Sequence, residues 1–99
     1  MKPYRFHREA DAEFTAALRY YTEASAAIGA RFYDEVERAV NDARKHPRRF
    51  REIDPPVRRC LLRVFPHAVL YIDEPDRIWV IAVCPLRREP RYWRQRLVD

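Results

Sequence analysis

Hydrophobic residues recur at intervals of three and four in two stretches of the first half of the chain, residues 10–24 and 32–43. This spacing places the apolar side chains of each stretch on one face of a helix. Gly29 interrupts the pattern between the two stretches, and Pro47 ends the second one. The pattern therefore predicts an antiparallel helix hairpin with its turn near Gly29.

Alternation of polar and apolar residues replaces this pattern after a polar loop at residues 47–56. Three strand-like runs follow at 57–65, 67–73 and 77–84, and short connections between them imply antiparallel neighbours. Residues 4–7 are predicted to form a further short strand. The predicted fold class is α+β: a short N-terminal strand, an antiparallel helix hairpin, and a three-stranded antiparallel meander packed on the hairpin.

Alternation also divides each strand between the two faces of the sheet. One face must pack against the helix hairpin. The other face is expected to carry Arg59, Arg63, His67 and Tyr71 among apolar residues. Since no segment is predicted to cover this second face, it is the candidate working surface.

The tail after the last strand, residues 87–97, is basic and aromatic, with a short helix predicted after Pro90. Arginine offers a planar fork to phosphates or carboxylates, and aromatic rings offer a stacking surface. The tail fits a binding segment, and it equally fits a cap in which Tyr92 and Trp93 pack on the sheet. Its arginines are Arg87, Arg88, Arg91, Arg94 and Arg96.

The length and the net charge limit the classes of protein to which the chain can belong. Ninety-nine residues are enough for one domain, 1–99, and too few for two. The net charge of +5 is uneven, with −2 over residues 1–42 and +7 over residues 43–99. A basic half suggests an anionic partner, nucleic acid or an acidic protein. Eighteen of the twenty basic residues are arginine, which a GC-rich coding sequence also produces.

Several classes of site are excluded or disfavoured. The single glycine rules out a glycine-rich phosphate loop. Cys60 and Cys84 make neither a disulfide framework nor a metal site, so no metal or small-molecule cofactor is expected. No apolar run has the length of a signal peptide or a membrane span, which favours a cytoplasmic protein without a membrane partner. The acidic residues Asp11, Glu13, Glu35 and Glu37 are interpreted as exposed helix charges.

Acid–base chemistry has few candidates. A lone histidine in a strand, such as His67, is more often structural than catalytic. A metal-free ribonuclease would need a proton acceptor, a proton donor and cations around the phosphate. The candidates for those roles are Arg59, Arg63, His67, Arg87, Arg88 and Tyr92.

Four stretches of the chain carry a resemblance to a known family: Phe6-His7-Arg8-Glu9-Ala10 leading into Tyr20-Tyr21; Arg31-Phe32; Arg63-Val64-Phe65-Pro66-His67-Ala68-Val69-Leu70-Tyr71; and Ile81-Ala82-Val83 followed by Arg87-Arg88-Glu89-Pro90-Arg91-Tyr92-Trp93. Together with the order of the predicted elements, these stretches resemble the RelE/ParE toxin superfamily over about residues 4–97. The stretch from Phe65-Pro66 to Tyr71, followed by the Arg-Arg-x-Pro-x-Tyr-Trp ending, is similar to the ParE-like branch.

The resemblance implies the toxin of a type II toxin–antitoxin pair, with roles in plasmid stabilisation and growth inhibition, held silent by a cognate antitoxin protein. ParE-like members poison DNA gyrase and are not nucleases, whereas RelE-like members cut mRNA on the ribosome. The position at which RelE-like toxins carry a mid-strand arginine holds Ala68, and their lysine-rich patch is replaced by residues 52–56. Arg88 and Tyr92 do match the tail positions that such nucleases use.

Gyrase is therefore the expected target, with ribosome-bound mRNA as the alternative and an inactive partner-binding or co-repressor module as a third reading. We expect the antitoxin to add to a sheet edge flanked by arginines and to place apolar anchors in a groove beside the hairpin. The sequence leaves the oligomeric state open. The expected partner-binding residues are Arg59, Arg63, Tyr71, Trp79, Arg87, Arg88, Arg91, Tyr92 and Trp93.

Overall fold

The computed structural model of the chain, which describes residues 1–98, contains the predicted helix hairpin. Helix α1 spans Arg8–Ala24 and helix α2 spans Ala26–Lys45, so that Ser25 alone separates them. The backbone N–H of Ser25 donates to the carbonyl of Tyr21 at 3.0 Å and closes α1. Its hydroxyl accepts from the N–H of Ile28 at 3.4 Å and begins α2. The turn therefore lies at Ser25 and not near Gly29 as predicted.

Gly29 lies inside α2, buried against α1. A Cβ atom at this position would lie 2.1 Å from Oγ1 of Thr22 and 2.8 Å from its Cα. The residue is glycine because the two helices touch here, and it does not end a helix. The sequence prediction was wrong because a glycine interrupts the hydrophobic pattern of a helix both at a helix end and at a close contact between two helices.

Five strands form one mixed sheet in the order β1-β5-β4-β3-β2. β1 runs parallel to β5, and the other neighbours are antiparallel. The predicted meander is confirmed as β3, β4 and β5, but part of the expected loop at 47–56 is a fourth antiparallel strand. The bounds are Tyr4–Phe6 for β1, Arg51–Asp54 for β2, Val57–Leu61 for β3, His67–Asp73 for β4 and Ile78–Pro85 for β5.

A bulge in β5 shifts the alternation of its side chains. Tyr71 pairs with Val80 and Leu70 pairs with Ala82, which leaves Ile81 as an extra residue. Ile81 and Ala82 consequently pack into the same cluster, on the face away from the helices. Uninterrupted alternation had placed them on opposite faces.

The four residues expected to share an open face are divided by the strand register. Arg59 lies opposite Leu70 and faces away from the helices. His67 and Tyr71 face the helices instead: His67 packs on the rings of α1 and α2, and Tyr71 belongs to the helix-side core. Arg63 lies in the turn after β3. The prediction that all four share one surface was wrong.

The second face of the sheet is not open. Residues 86–98, called here the C-terminal strap, cross it and end in a 3-10 helix at Arg94–Val98, which confirms a short helix after Pro90. Trp93, only 4% exposed, packs with Leu70 and Ile81 at the centre of this second core. No helix in residues 1–98 combines the length and apolar character needed to cross a bilayer.

Candidate functional site

One end of the sheet collects arginines beside exposed apolar side chains. The turn between β3 and β4 lies against the exit of β5, where the N–H of Leu86 donates to the carbonyl of Pro66 at 3.0 Å. Leu61 and the chain after β5 are brought to the same end because Leu61, Ala68 and Cys84 lie side by side across three strands. We call this surface the arginine end: Arg59, Arg63, Arg87 and Arg88 with Leu61, Val64 and Leu86.

The chemistry of the arginine end suits a protein partner. None of its four guanidinium groups forms an ion pair with any other part of residues 1–98. Leu61, Val64 and Leu86 are each about half exposed, which is unusual for large apolar side chains in so small a domain. Apolar anchors ringed by arginine are typical of protein interfaces, where the anchors supply affinity and the charges supply specificity.

The turn that carries Arg63 is held in place by α2. The carboxylate of Glu35 accepts the backbone N–H of Arg63 at 2.7 Å and that of Val64 at 3.3 Å. Glu35 is buried, and Arg31 approaches its other oxygen at 3.8 Å. The prediction of an exposed helix charge was wrong for Glu35, because its side chain caps backbone groups that have no strand partner.

A groove of about 350 Å³ continues from the arginine end between β3, β4 and the strap. Leu70 and Cys84 line it together with Arg59 and Arg88. The guanidinium of Arg88 lies over the ring of Tyr92, 3.9 Å from its centroid. Burial raises the pKa of the Cys84 thiol to about 11, so this sulfur stays protonated at neutral pH.

The strap is fastened to the rest of the fold by the carboxylate of Glu13 in α1. Arg96 donates to both oxygens of this carboxylate, at 2.9 and 3.0 Å. The hydroxyl of Tyr92 donates to Oε2 at 2.6 Å, and the backbone N–H of Val83 donates to Oε1 at 3.0 Å. Glu13 is therefore not an exposed helix charge as predicted.

This cluster also covers the edge of β5. β1 ends at Phe6, so beyond Val80 β5 has a strand beside it only on the β4 side. The unpaired N–H of Val83 is satisfied by Glu13, and the carbonyl of Ile81 accepts from Arg96 at 2.9 Å. The ion pair thus replaces the missing strand at this edge.

A second carboxylate holds the strap on the opposite side. Asp54, at the end of β2, lies 3.2 Å from Arg94 and 3.7 Å from Arg91. Since Asp54 and Glu13 hold the strap at different points, its path across the sheet is fixed. Arg91 is partly neutralised by this contact, in contrast to Arg87 and Arg88.

The groups considered for acid–base catalysis are poorly suited to it. Burial, and the hydrogen bond to Glu13, raise the pKa of Tyr92, whose hydroxyl remains protonated and engaged. Burial lowers the pKa of His67, and Arg87 lowers it further. The His67 ring lies among Tyr21 and Phe32, and its Nδ1 atom has no hydrogen-bond partner within residues 1–98.

Three of the expected partner-binding aromatic residues lie within the fold. The ring of Tyr71 is fully buried, and its hydroxyl donates to the carbonyl of Pro47 at 2.7 Å. Trp79 is half-buried beneath the guanidinium of Arg77, which lies 5.2 Å from the ring centroid. Trp93 is buried in the second core. The expected residues that the structure brings together at an accessible surface are Arg59, Arg63, Arg87 and Arg88, with Tyr92 at the wall of the adjoining groove.

A second groove, of about 250 Å³, lies beside the helix hairpin as the sequence suggested. Tyr4 and Phe6 of β1 form one side of it, and Phe14 and Tyr33 of the helices form the other. Tyr4 and Tyr33 are partly exposed, so their rings are available to a partner. Because β1 is an edge strand, an extended segment could pair with it while its side chains enter the groove.

Comparison with known proteins agrees with this fold. The family model described as "ParE toxin of type II toxin-antitoxin system, parDE" matches residues 4–90. A solved structure titled "Chromosomal ParDE TA system from P. aeruginosa" superposes with a TM-score of 0.72 at 15% identity, covering 86% of this chain and 96% of that chain. At that identity the superposition shows a shared fold. No curated protein sequence matches the chain.

Proposed function

Because the chain belongs to the ParE toxin family of type II toxin–antitoxin systems, we propose that it inhibits DNA gyrase when free and that a cognate antitoxin protein neutralises it. The observation that carries the proposal is the arginine end, where four arginines without an ion pair within residues 1–98 lie at the same end of the sheet as three half-exposed apolar side chains. The exposed apolar side chains of this surface favour burial against a partner, and its positive charges favour a partner that is acidic.

The groove beside the hairpin and the arginine end divide the expected contacts with the antitoxin. An extended segment at the β1 edge would place apolar anchors against Tyr4, Phe14 and Tyr33. Acidic residues of the same antitoxin would pair with the arginine end and neutralise it. This arrangement keeps the toxin silent by covering the surface through which we expect it to act.

The alternative, cleavage of mRNA on the ribosome, receives less support from the site. That chemistry needs a group that exchanges a proton at neutral pH. The hydroxyl of Tyr92 donates to Glu13 and has a raised pKa, and the ring of His67 is enclosed by aromatic residues. A binding surface without a proton-transfer group agrees better with a toxin that acts by docking.

Expression of the chain with and without its antitoxin, followed by two assays on the purified toxin, tests the proposal. Free toxin should arrest growth and, in a supercoiling assay with gyrase and relaxed plasmid DNA, should block supercoiling or leave broken DNA in the absence of ribosomes. Arg63→Glu with Arg87→Glu should abolish both effects, while Arg5→Glu with Arg19→Glu makes the same change of charge at exposed positions of β1 and α1.

The substitution Tyr92→Phe distinguishes inhibition of gyrase from cleavage of mRNA. The tyrosine hydroxyl is needed if the toxin transfers a proton to RNA, and it serves only to fasten the strap if the toxin acts by docking. We expect the Tyr92→Phe protein, once shown to be folded, to inhibit gyrase. Ribosome-dependent mRNA cleavage that this substitution abolishes would contradict the proposal, as would antitoxin binding by a chain that arrests no growth.

A further inference from the structure

A second basic surface lies where the chain passes from α2 to β2, and it borders the arginine end where Arg51 lies opposite Arg59. Residues 43–51 contain five Lys or Arg residues and no Asp or Glu. Arg44 is turned inward, since its Nε donates to the carbonyl of Lys2 at 2.7 Å. The remaining four are exposed, and none forms an ion pair with another residue in the described range. We call these four the corner patch: Lys45, Arg48, Arg49 and Arg51.

The backbone of the corner is held by hydrogen bonds to three of its carbonyl groups. The carbonyl of Pro47 accepts the Tyr71 hydroxyl at 2.7 Å, which ties the segment to the centre of the sheet. Arg58 of β3 donates to the carbonyls of Arg48 and Phe50, at 3.3 and 2.8 Å. The cations are thus presented from a fixed frame, which reduces the entropy lost when they bind a ligand.

Helix polarity explains only part of this charge. Lys45 belongs to the last turn of α2, where a cation complements the negative end of the helix dipole. Arg48, Arg49 and Arg51 lie beyond the helix. Arg51 moreover faces Arg59 directly across the β2–β3 pair, and like charges at such positions destabilise a sheet. An anion bound at the corner would relieve that repulsion.

The composition of the patch distinguishes its ligand from that of the arginine end. The arginine end combines cations with exposed Leu61, Val64 and Leu86, as a protein interface requires. At the corner the one large apolar side chain, Phe50, is half-buried and packs towards Tyr71. Cations without apolar anchors are sufficient for phosphates, because backbone contacts to nucleic acid are electrostatic.

We propose that the corner patch binds the phosphate backbone of double-stranded DNA without reading its sequence. The patch shares no residue with the arginine end, so this inference does not rest on the proposed growth inhibition. It gives the toxin a direct contact with DNA, additional to any contact made by a partner protein. Loss of DNA binding and loss of toxicity should therefore be separable.

Fluorescence anisotropy of a labelled duplex of about 20 base pairs, of arbitrary sequence, titrated with the purified chain at several salt concentrations, measures this contact. Four phosphate contacts predict a slope of log Kobs against log salt of about −3 to −4. Arg48→Gln/Arg49→Gln/Arg51→Gln should bind roughly 10- to 100-fold more weakly at low salt and flatten the slope by roughly 2 to 3. The matching lysine substitutions should keep the slope, because a phosphate contact needs only the charge.

The control Arg5→Gln/Arg8→Gln/Arg19→Gln removes the same charge from three exposed arginines of β1 and α1. It should change the slope little. Equal losses in the two triple variants would overturn the proposal, since net charge alone would then explain the binding. Absence of DNA binding by the wild-type chain at low salt would also overturn the proposal. So would a result in which the corner arginines bind polyglutamate more tightly than DNA. Thermal unfolding of each variant confirms that it is folded.

Discussion

Replacing Glu13 by alanine is the most informative perturbation of the fold, because one carboxylate holds the strap, the edge of β5 and a buried guanidinium together. The substitution leaves Arg96, whose side chain is 9% exposed, without its counter-charge. It also removes the acceptor of the Tyr92 hydroxyl and of the Val83 N–H. Three groups that the fold shelters from water would thus lose a partner at the same time.

Removing one partner of a buried ion pair costs about 3 to 5 kcal/mol. The Glu13 side chain is 17% exposed, so water can partly replace it, and we expect about 3 kcal/mol. For a domain of this size that loss lowers the melting temperature by roughly 12 to 24 °C. Urea unfolding measures the loss of free energy, and amide hydrogen exchange over residues 92–97 shows whether the strap opens.

The control is Asp11→Ala, which removes an exposed carboxylate from the same helix and should cost less than about 1 kcal/mol. In a double-mutant cycle, Glu13→Ala and Arg96→Ala should couple by about 2 kcal/mol. A loss below about 1 kcal/mol for Glu13→Ala, or additive effects in the cycle, would refute the claim that this pair fastens the strap.

Two further predictions concern the helix-side core. Gly29→Ala should destabilise the chain by about 1 to 3 kcal/mol in urea unfolding, despite the better helix propensity of alanine, because its Cβ would meet Thr22. His67 has a pKa below its ordinary value of 6.5, so its contribution to stability is complete above pH 6.5 and is lost as the pH falls through the lowered value. His67→Leu should therefore unfold with a weaker dependence on pH between about pH 7.5 and about pH 5. An unchanged pH dependence would contradict this assignment.

Periodicity was sufficient for the elements that bury one continuous stripe. The hairpin and the meander could be predicted because the spacing of their apolar residues does not depend on which element packs against them. β2 could not be predicted in the same way, since residues 51–54 are polar at three of four positions and lie at an edge. Its identity as a strand depends on pairing with β3 and not on its own composition.

The sheet face on which a side chain lies, and the role of that side chain, were harder to predict than the helices and strands themselves. The bulge at Ile81 reverses the alternation in half of β5, and nothing in that apolar run marks it. Glu13 and Glu35 have the helical positions of solvated charges, yet each accepts from backbone groups far along the chain. Such contacts arise when tertiary structure leaves an N–H unpaired, so they are visible only once the strands are placed.

The strap confirms the cap reading of the tail, while its reading as a binding segment stays a prediction. Tyr92 and Trp93 pack against the sheet, as a cap requires, while Arg87 and Arg88 stay unpaired beside the β3–β4 turn. The aromatic residues were expected to meet a partner because exposed and buried rings have the same sequence signature. Arg87 and Arg88 are exposed as expected, whereas Arg96 is buried, and the sheet face expected to surround these arginines is covered.

The central claim is that the arginine end is a charged docking surface for a protein. The most direct test is the affinity of the purified antitoxin for the wild-type chain and for Arg59→Glu/Arg63→Glu, measured by calorimetry from about 50 to about 300 mM salt. We predict that wild-type affinity falls as salt rises, and that the variant binds at least roughly tenfold more weakly at low salt and responds little to salt. Equal affinities with the same salt response in both proteins would contradict the account.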